Sequence, residues 1–245
     1  MDTPKLKYQR YYSKWHKDTP QHYENMRKFN HYLFGHFIKD LPRGSALDIG
    51  CGMGFTMEYL QSIGFNTVYG YDIDEEQIAI SKKHNLNVFK SDNIDDVLSQ
   101  IKIKFNLITA LDVLEHMPKE QALMIVKKIH QELVPGGMFI CTVPNANSAL
   151  SNRWLYNDFT HHASYAEQSL DFLLYNAGFE NIQILSTDKE PLPRPSWLES
   201  SYQDWVGWFN FRLARSFRRW QMVAELGEAG KNVPLSLNLL GVAIK

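Results

Sequence analysis

The sequence predicts an α/β fold, a doubly wound and mostly parallel sheet with helices on both faces, and three observations predict it. Short apolar runs closed by glycine or aspartate recur along the chain, segments with apolar residues at three- and four-residue steps lie between them, and the two kinds alternate from Ser45 to Thr187. Runs of the first kind read as strands buried on both faces and segments of the second kind as amphipathic helices. Alternation at this spacing means right-handed βαβ units, and hence parallel strands.

Each element has its own signal. From Gln21 to Ile38, Met26, Phe29, Leu33, Phe34, Phe37 and Ile38 keep a helical period that Pro42 and Gly44 end, which predicts one amphipathic helix. SALDIG is the first strand, followed by a helix from about Met53 to Ile63, a strand in NTVYGYDI, a helix from Glu75 to His84 and a strand in NVFKSD. FNLITALDV is the fourth strand, KEQALMIVKKIHQEL the next helix and GMFICTVP the fifth strand. The helix AEQSLDFLLYNAG stops at Gly178 and leads into FENIQILST, and the apolar end of VPLSLNLLGVAIK supplies a last strand. PLPRP at 191–195 reads as a stiff linker. The chain divides into a helical cap at 1–44, a ligand-binding core at 45–190, an aromatic and basic helical insertion at 191–230 and a final core strand at 231–245.

At 245 residues with 44% hydrophobic and 22% charged side chains, this is one large globular domain with additions, not a disordered chain. The formal charge of −1 argues against a nucleic acid partner, which usually selects a strongly basic domain. Cys51 and Cys141 form no CxxC pair, and no His/Cys cluster has metal-ligand spacing, so no metal is expected and a reducing cytoplasm is the natural setting. The first residues lack the apolar core of a secretory signal, and eighteen uninterrupted apolar residues occur nowhere.

Ligands of such sheets bind beyond the carboxyl ends of the strands, near the first strand, which directs attention to Asp48 to Gly54, Asp72, Asp92 and Asp112. LDIGCGMG sets glycines at 50, 52 and 54 just after a buried strand, letting backbone approach a ligand closely. A dinucleotide fingerprint needs glycine or alanine where Phe55 stands, so a pyrophosphate cofactor is disfavoured. Asp72, eighteen residues past Gly54 and followed by Ile73, has the reach of a carboxylate that accepts from both hydroxyls of a ribose.

On these residues the chain resembles the class I S-adenosylmethionine-dependent methyltransferases, from about Ser45 to Thr187. The resemblance implies a Rossmann-like sheet of seven strands with one antiparallel C-terminal strand, and S-adenosyl-L-methionine as cofactor. It implies that Gly50, Gly52 and Gly54 wrap the methionine part and that Asp48 helps hold its amino end. By the same resemblance Asp72 takes the ribose, Asp92 accepts from the adenine amino group, Asn93 or Ile94 contacts the ring, and Leu111, Asp112 and His116 line the pocket. The NPPY or DPPY segment of adenine methyltransferases is missing; LDVL stands in its place.

Methyl transfer to a hydroxyl is an in-line displacement helped by alignment, exclusion of water and a positioned base. Asp158-Phe-Thr-His161-His162 follows the fifth strand, and in similar small-molecule and sugar methyltransferases a histidine stands four residues before an aromatic, as His161 does before Tyr165. His161 is the expected base or acceptor contact, with His162 second, His116 third, and a purely structural role for His161 as the plain alternative.

Trp205, Trp208, Phe209, Leu213, Phe217 and Trp220 form one helical stripe, with Arg215, Arg218 and Arg219 pointing elsewhere. Packing of that stripe against the body, as a lid or homodimer contact, is the first expectation; peripheral contact with an anionic membrane at its inner face is the second and nucleic acid the third. The resulting reading is O-methylation of a glycan, sugar or other small-molecule hydroxyl. The alternatives are a quinone or phenol acceptor, a non-catalytic cofactor-binding interaction module, and a nicotinamide oxidoreductase, against which Phe55 stands.

Overall fold

The computed structural model describes residues 12–188, 194–196 and 200–245. Its described elements run α1 (Pro20–Asn30), a π-helical turn (His31–Gly35), β1 (Ser45–Ile49), α2 (Phe55–Ser62), β2 (Thr67–Asp72), α3 (Glu75–Lys83), β3 (Asn87–Lys90), α4 (Ile94–Ile101) and β4 (Phe105–Leu111). A 3₁₀ turn (Leu114–His116), α5 (Lys119–Glu132), β5 (Leu133–Pro144), α6 (Ser151–Asn157), α7 (Glu167–Asn176) and β6 (Asn181–Ser186) follow. Then come α8 (Tyr202–Leu226), a second 3₁₀ turn (Gly227–Lys231) and β7 (Asn238–Ile244). The first three residues of the expected proline linker lie outside the described residues.

The seven strands form one sheet in the order β3-β2-β1-β4-β5-β7-β6, parallel throughout except for β7, which runs antiparallel to both β5 and β6. Alternate residues serve opposite faces. Leu47, Ile108, Phe139 and Leu239 point to the layer of α4, α5 and α7, where Val97, Val126 and Leu170 meet them. Ala46, Leu107, Ile140 and Leu240 point the other way, to Met57 and Leu60 of α2, Ile78 of α3 and Leu33 and Phe34 of the π-helical turn. Because both faces are covered, the strands read as nearly continuous apolar runs. The chain reverses strand order at β1, so the carboxyl ends of β1 and β4 open the crevice that such sheets use for ligands.

Two local expectations are corrected. The helix expected over 21–38 ends as an α-helix at Asn30, continues as the π-helical turn and is finished by Ile38, because Leu33, Phe34 and Ile38 must all reach the sheet while Phe29 stays half exposed over the crevice.

The second correction concerns α8, where Trp205 and Trp208 are half-buried but the rest of the expected apolar stripe does not pack on the body. Phe209, Leu213, Phe217 and Trp220 face outward, each 58% to 64% exposed. Arg215 pairs with Asp188 at 2.6 Å, Arg218 donates to the carbonyl of Asn147, and Arg219 donates to the carbonyls of Gly230 (3.0 Å) and Val233 (2.6 Å). Orphan carbonyls in the return segment need donors, and arginine supplies them with a charge that keeps part of its solvation. Arg219→Ala should therefore lower the unfolding free energy by about 2 kcal/mol in urea titrations, whereas Trp220→Ala should stay within about 0.5 kcal/mol. Among the described residues no helix is long and apolar enough to cross a membrane.

Candidate active site

The loop after β1 is built by backbone geometry that side chains would forbid. Gly50, Gly52 and Gly54 all have φ between +51° and +86°. A Cβ on Gly50 would stand 2.6 Å from Val113, and one on Gly52 would stand 2.7 Å from the Gln77 side-chain oxygen. The loop is clamped from outside: the Gly52 N–H donates to Asp72 Oδ2 at 2.9 Å, the Ser81 hydroxyl donates to the Gly52 carbonyl at 2.7 Å, and Asp72 Oδ1 accepts the N–H of Asp74. Gly54 caps α2 on the far side of the turn, where a Cβ would strike Leu86.

Below the loop lies a cavity of about 580 Å³. Six carboxylates line it, those of Asp48, Asp72, Asp112, Glu115, Asp158 and Asp188, and no lysine or arginine does so among the described residues. That balance suits a cationic ligand and opposes a phosphate-bearing one. Burial pushes the Asp48 carboxyl up to about 7, against the 2.6 Å hydrogen bond from Thr109 that favours its charged form; Asp72 adds a like charge. Burial raises Asp72 as well. Asp112 sits at the end of β4 with φ +55°, held there by Thr142 of β5 and by the Asn238 amide of β7, which donates to its Oδ1 at 2.8 Å.

His116 and His161 also line the cavity, together with the large apolar side chains of Trp15, Met26, Phe29, Leu33, Trp154 and Leu237. His161 Nδ1 lies 2.9 Å from the Trp154 carbonyl, which can only accept, so that nitrogen carries the proton and Nε2 keeps a lone pair. The Thr160 hydroxyl donates to Asp158 at 2.6 Å, so it accepts from His116 Nδ1 at 2.8 Å and His116 Nε2 is likewise unprotonated. The two rings meet edge to face at 4.6 Å. Burial, followed by the neighbouring His161, lowers His116 to about 4. Asp158 is drawn below the carboxylate range because the Thr160 hydroxyl and N–H outweigh its partial burial.

A family model described as a methyltransferase domain matches residues 19–184, which spans the glycine loop, β1 to β5 and the histidine loop. The chain belongs to the methyltransferase-domain family. The curated relatives include the ubiquinone biosynthesis O-methyltransferase of Pseudomonas syringae, 28% identical over 44% of this chain and 47% of that protein. The enzyme of the same name from Idiomarina loihiensis is 29% identical over 55% of this chain and 57% of its own length. The chain thus spans about half the length of the curated relatives it matches. Among solved structures, a SAM-dependent methyltransferase from Archaeoglobus fulgidus shares the fold, with a TM-score of 0.63 at 21% identity over 89% of this chain and 94% of that one.

Of the residues singled out in the sequence, the methyltransferase brings Asp48, Gly50, Gly52, Asp72, Leu111, Asp112, His116 and His161 to one cavity. Gly54, Ile73, Asp92, Asn93 and His162 stand outside its lining. Ile73 is 54% exposed, Asp92 is exposed, and Asn93 caps α4 by accepting the N–H of Asp95, the ordinary use of asparagine at a helix start. His162 is exposed and takes part through its backbone, whose N–H donates to the Glu115 carbonyl at 2.7 Å. Sequence reasoning missed Glu115, Trp154, Asp188 and Asn238. Only Glu115 carried a local signal, an acid beside a histidine where a strand has just ended; the other three reach the cavity from distant segments.

Proposed function

We propose that this methyltransferase methylates a hydroxyl on a phenolic or quinol ring, by a direct displacement in which His161 receives the hydroxyl proton. The observation that carries this reading is the cavity that His161 lines, whose wall also carries the large apolar side chains of Trp15, Met26, Phe29, Leu33, Trp154 and Leu237. Such walls suit a flat apolar ring, whose faces need no polar partners. The name shared by the curated relatives points to the same acceptor class.

In this reading the glycine backbone lies along the methionyl part of the cofactor, Asp48 pairs with its amino group, and the free lone pairs of Asp72 accept from the ribose hydroxyls. When bound, S-adenosylmethionine supplies a methyl group made electrophilic by a sulfonium. Everything else is positioning: the aromatic wall aligns the acceptor, excludes water and leaves His161 Nε2 as the proton acceptor. The acceptor panel decides. Catechols, phenols and sugars incubated with methyl-labelled cofactor should yield a labelled aromatic ether; label found in sugars alone would overturn the reading.

The raised pKa of Asp48 has a signed consequence. Below pH 7 the unliganded carboxyl is mostly protonated, so cofactor affinity should fall about tenfold per pH unit, with proton release visible as buffer-dependent heat in calorimetry. Above pH 7 affinity should be flat. The unliganded protein should behave oppositely: native Asp48 keeps a proton that the unfolded chain releases near pH 4, so stability declines as pH rises from about 4 to 7.

A further inference from the structure

We propose that Glu115, His116 and His161 form a binding site for one divalent first-row transition cation, of the manganese, iron, cobalt or zinc kind, in the wall of the acceptor cavity. One potential ligand atom from each of the three side chains lies within 4.8 Å of the others, a span that a cation can bridge with small side-chain adjustments. The tautomers are set from behind. His161 Nδ1 donates to the Trp154 carbonyl and His116 Nδ1 to the Thr160 hydroxyl, so the nitrogen that each neutral imidazole leaves for a cation is Nε2. A hydrogen-bond acceptor behind a ligand imidazole is the outer shell that metal-binding histidines usually have.

Glu115 is the independent observation. Its side chain is 1% exposed, it lines the cavity, and its Oε2 has no hydrogen-bond partner. A buried carboxylate needs a donor or a positive charge, and no lysine or arginine borders this cavity among the described residues. A proton on Glu115 could serve one imidazole lone pair and would leave the other unpaired. A single cation satisfies the carboxylate and both nitrogens together. Two imidazoles and one carboxylate favour first-row transition ions over magnesium or calcium, which select oxygen ligands.

Three protein ligands leave coordination positions open to the cavity. There, resting on the acceptor placement proposed above, the cation would hold the acceptor hydroxyl. The hydroxyl proton passes to water, and the oxyanion forms the new C–O bond as the C–S bond of the sulfonium breaks. His161 then serves as a ligand, and the cation takes over the activation that its free imidazole would otherwise provide.

Cobalt(II) is the probe. The full chain, stripped with a chelator and dialysed, should take up one equivalent of Co²⁺ with a visible ligand-field absorption that Zn²⁺ displaces and Mg²⁺ does not. Glu115→Gln and His116→Asn should each weaken uptake by more than about 100-fold, and Thr160→Val, which removes only the hydroxyl behind His116, by about tenfold. S-adenosylhomocysteine calorimetry on the same samples reports whether each variant is folded and tests the cofactor reading without any metal. The proposal is overturned if wild-type protein that binds S-adenosylhomocysteine shows no cobalt band, or if the band survives in whichever of Glu115→Gln and His116→Asn still binds that compound.

Discussion

Asp72→Ala should raise the dissociation constant for S-adenosylmethionine by about 100-fold or more. The Asp72 carboxylate lies at the end of β2 with each oxygen accepting one backbone N–H, from Gly52 and from Asp74, and each keeps a further lone pair for a ribose hydroxyl. Hydrogen bonds to a charged acceptor contribute about 1.5–3 kcal/mol each, so losing two ligand bonds costs about 3 kcal/mol or more, and loosening the glycine loop adds to it. Asp72→Asn, which keeps an acceptor oxygen and loses the charge, should fall between alanine and wild type. Calorimetry with the cofactor checks both; a change below threefold for the alanine variant, with an unaltered circular dichroism spectrum, removes Asp72 from the cofactor site.

His161→Ala should lower kcat by about 10²- to 10⁴-fold while the cofactor dissociation constant stays within about twofold. The separation follows from position: His161 is held by the Trp154 carbonyl on the segment after β5, whereas the glycine loop is held by Asp72 of β2. His162→Ala should stay within about threefold of wild-type kcat, since that ring is exposed and outside the cavity lining. Steady-state kinetics alongside binding calorimetry resolves the two parameters. Equal loss of cofactor affinity and turnover in His161→Ala would show that the residue supports the loop instead of the acceptor.

The two cores on either side of the sheet explain why so much of the architecture could be read in advance. Each βα unit carries its own period, and the change of period at Ser45, after the opening helix, marks where the sheet begins. Asp48, Gly50, Gly52 and Asp72 were legible because the fold delivers strand ends to one crevice and because left-handed turns near a ligand favour glycine. Asp92 and Asn93 stand apart from the cavity: β3 lies at the edge of the sheet, and its carboxyl end turns into the cap of α4.

Amphipathicity alone misled in α8, where Arg215, Arg218 and Arg219 face the protein and Phe209, Leu213, Phe217 and Trp220 face out. A helical period identifies two faces; the partners available to each decide which one is buried. Here the carbonyls of Asn147, Gly230 and Val233 and the carboxylate of Asp188 drew the guanidinium groups inward.

By itself the sequence determined the alternation of strands and helices, the glycine turn and the acids at the strand tips, because these depend on spacing within a few residues. Only the tertiary structure decided that Glu115, His116 and His161 converge, that Asn238 steadies Asp112 across 126 positions of chain, and that His162 looks away. The reason is physical: a residue's conformational preferences act locally, whereas a site's chemistry depends on which distant segments the packed core holds together.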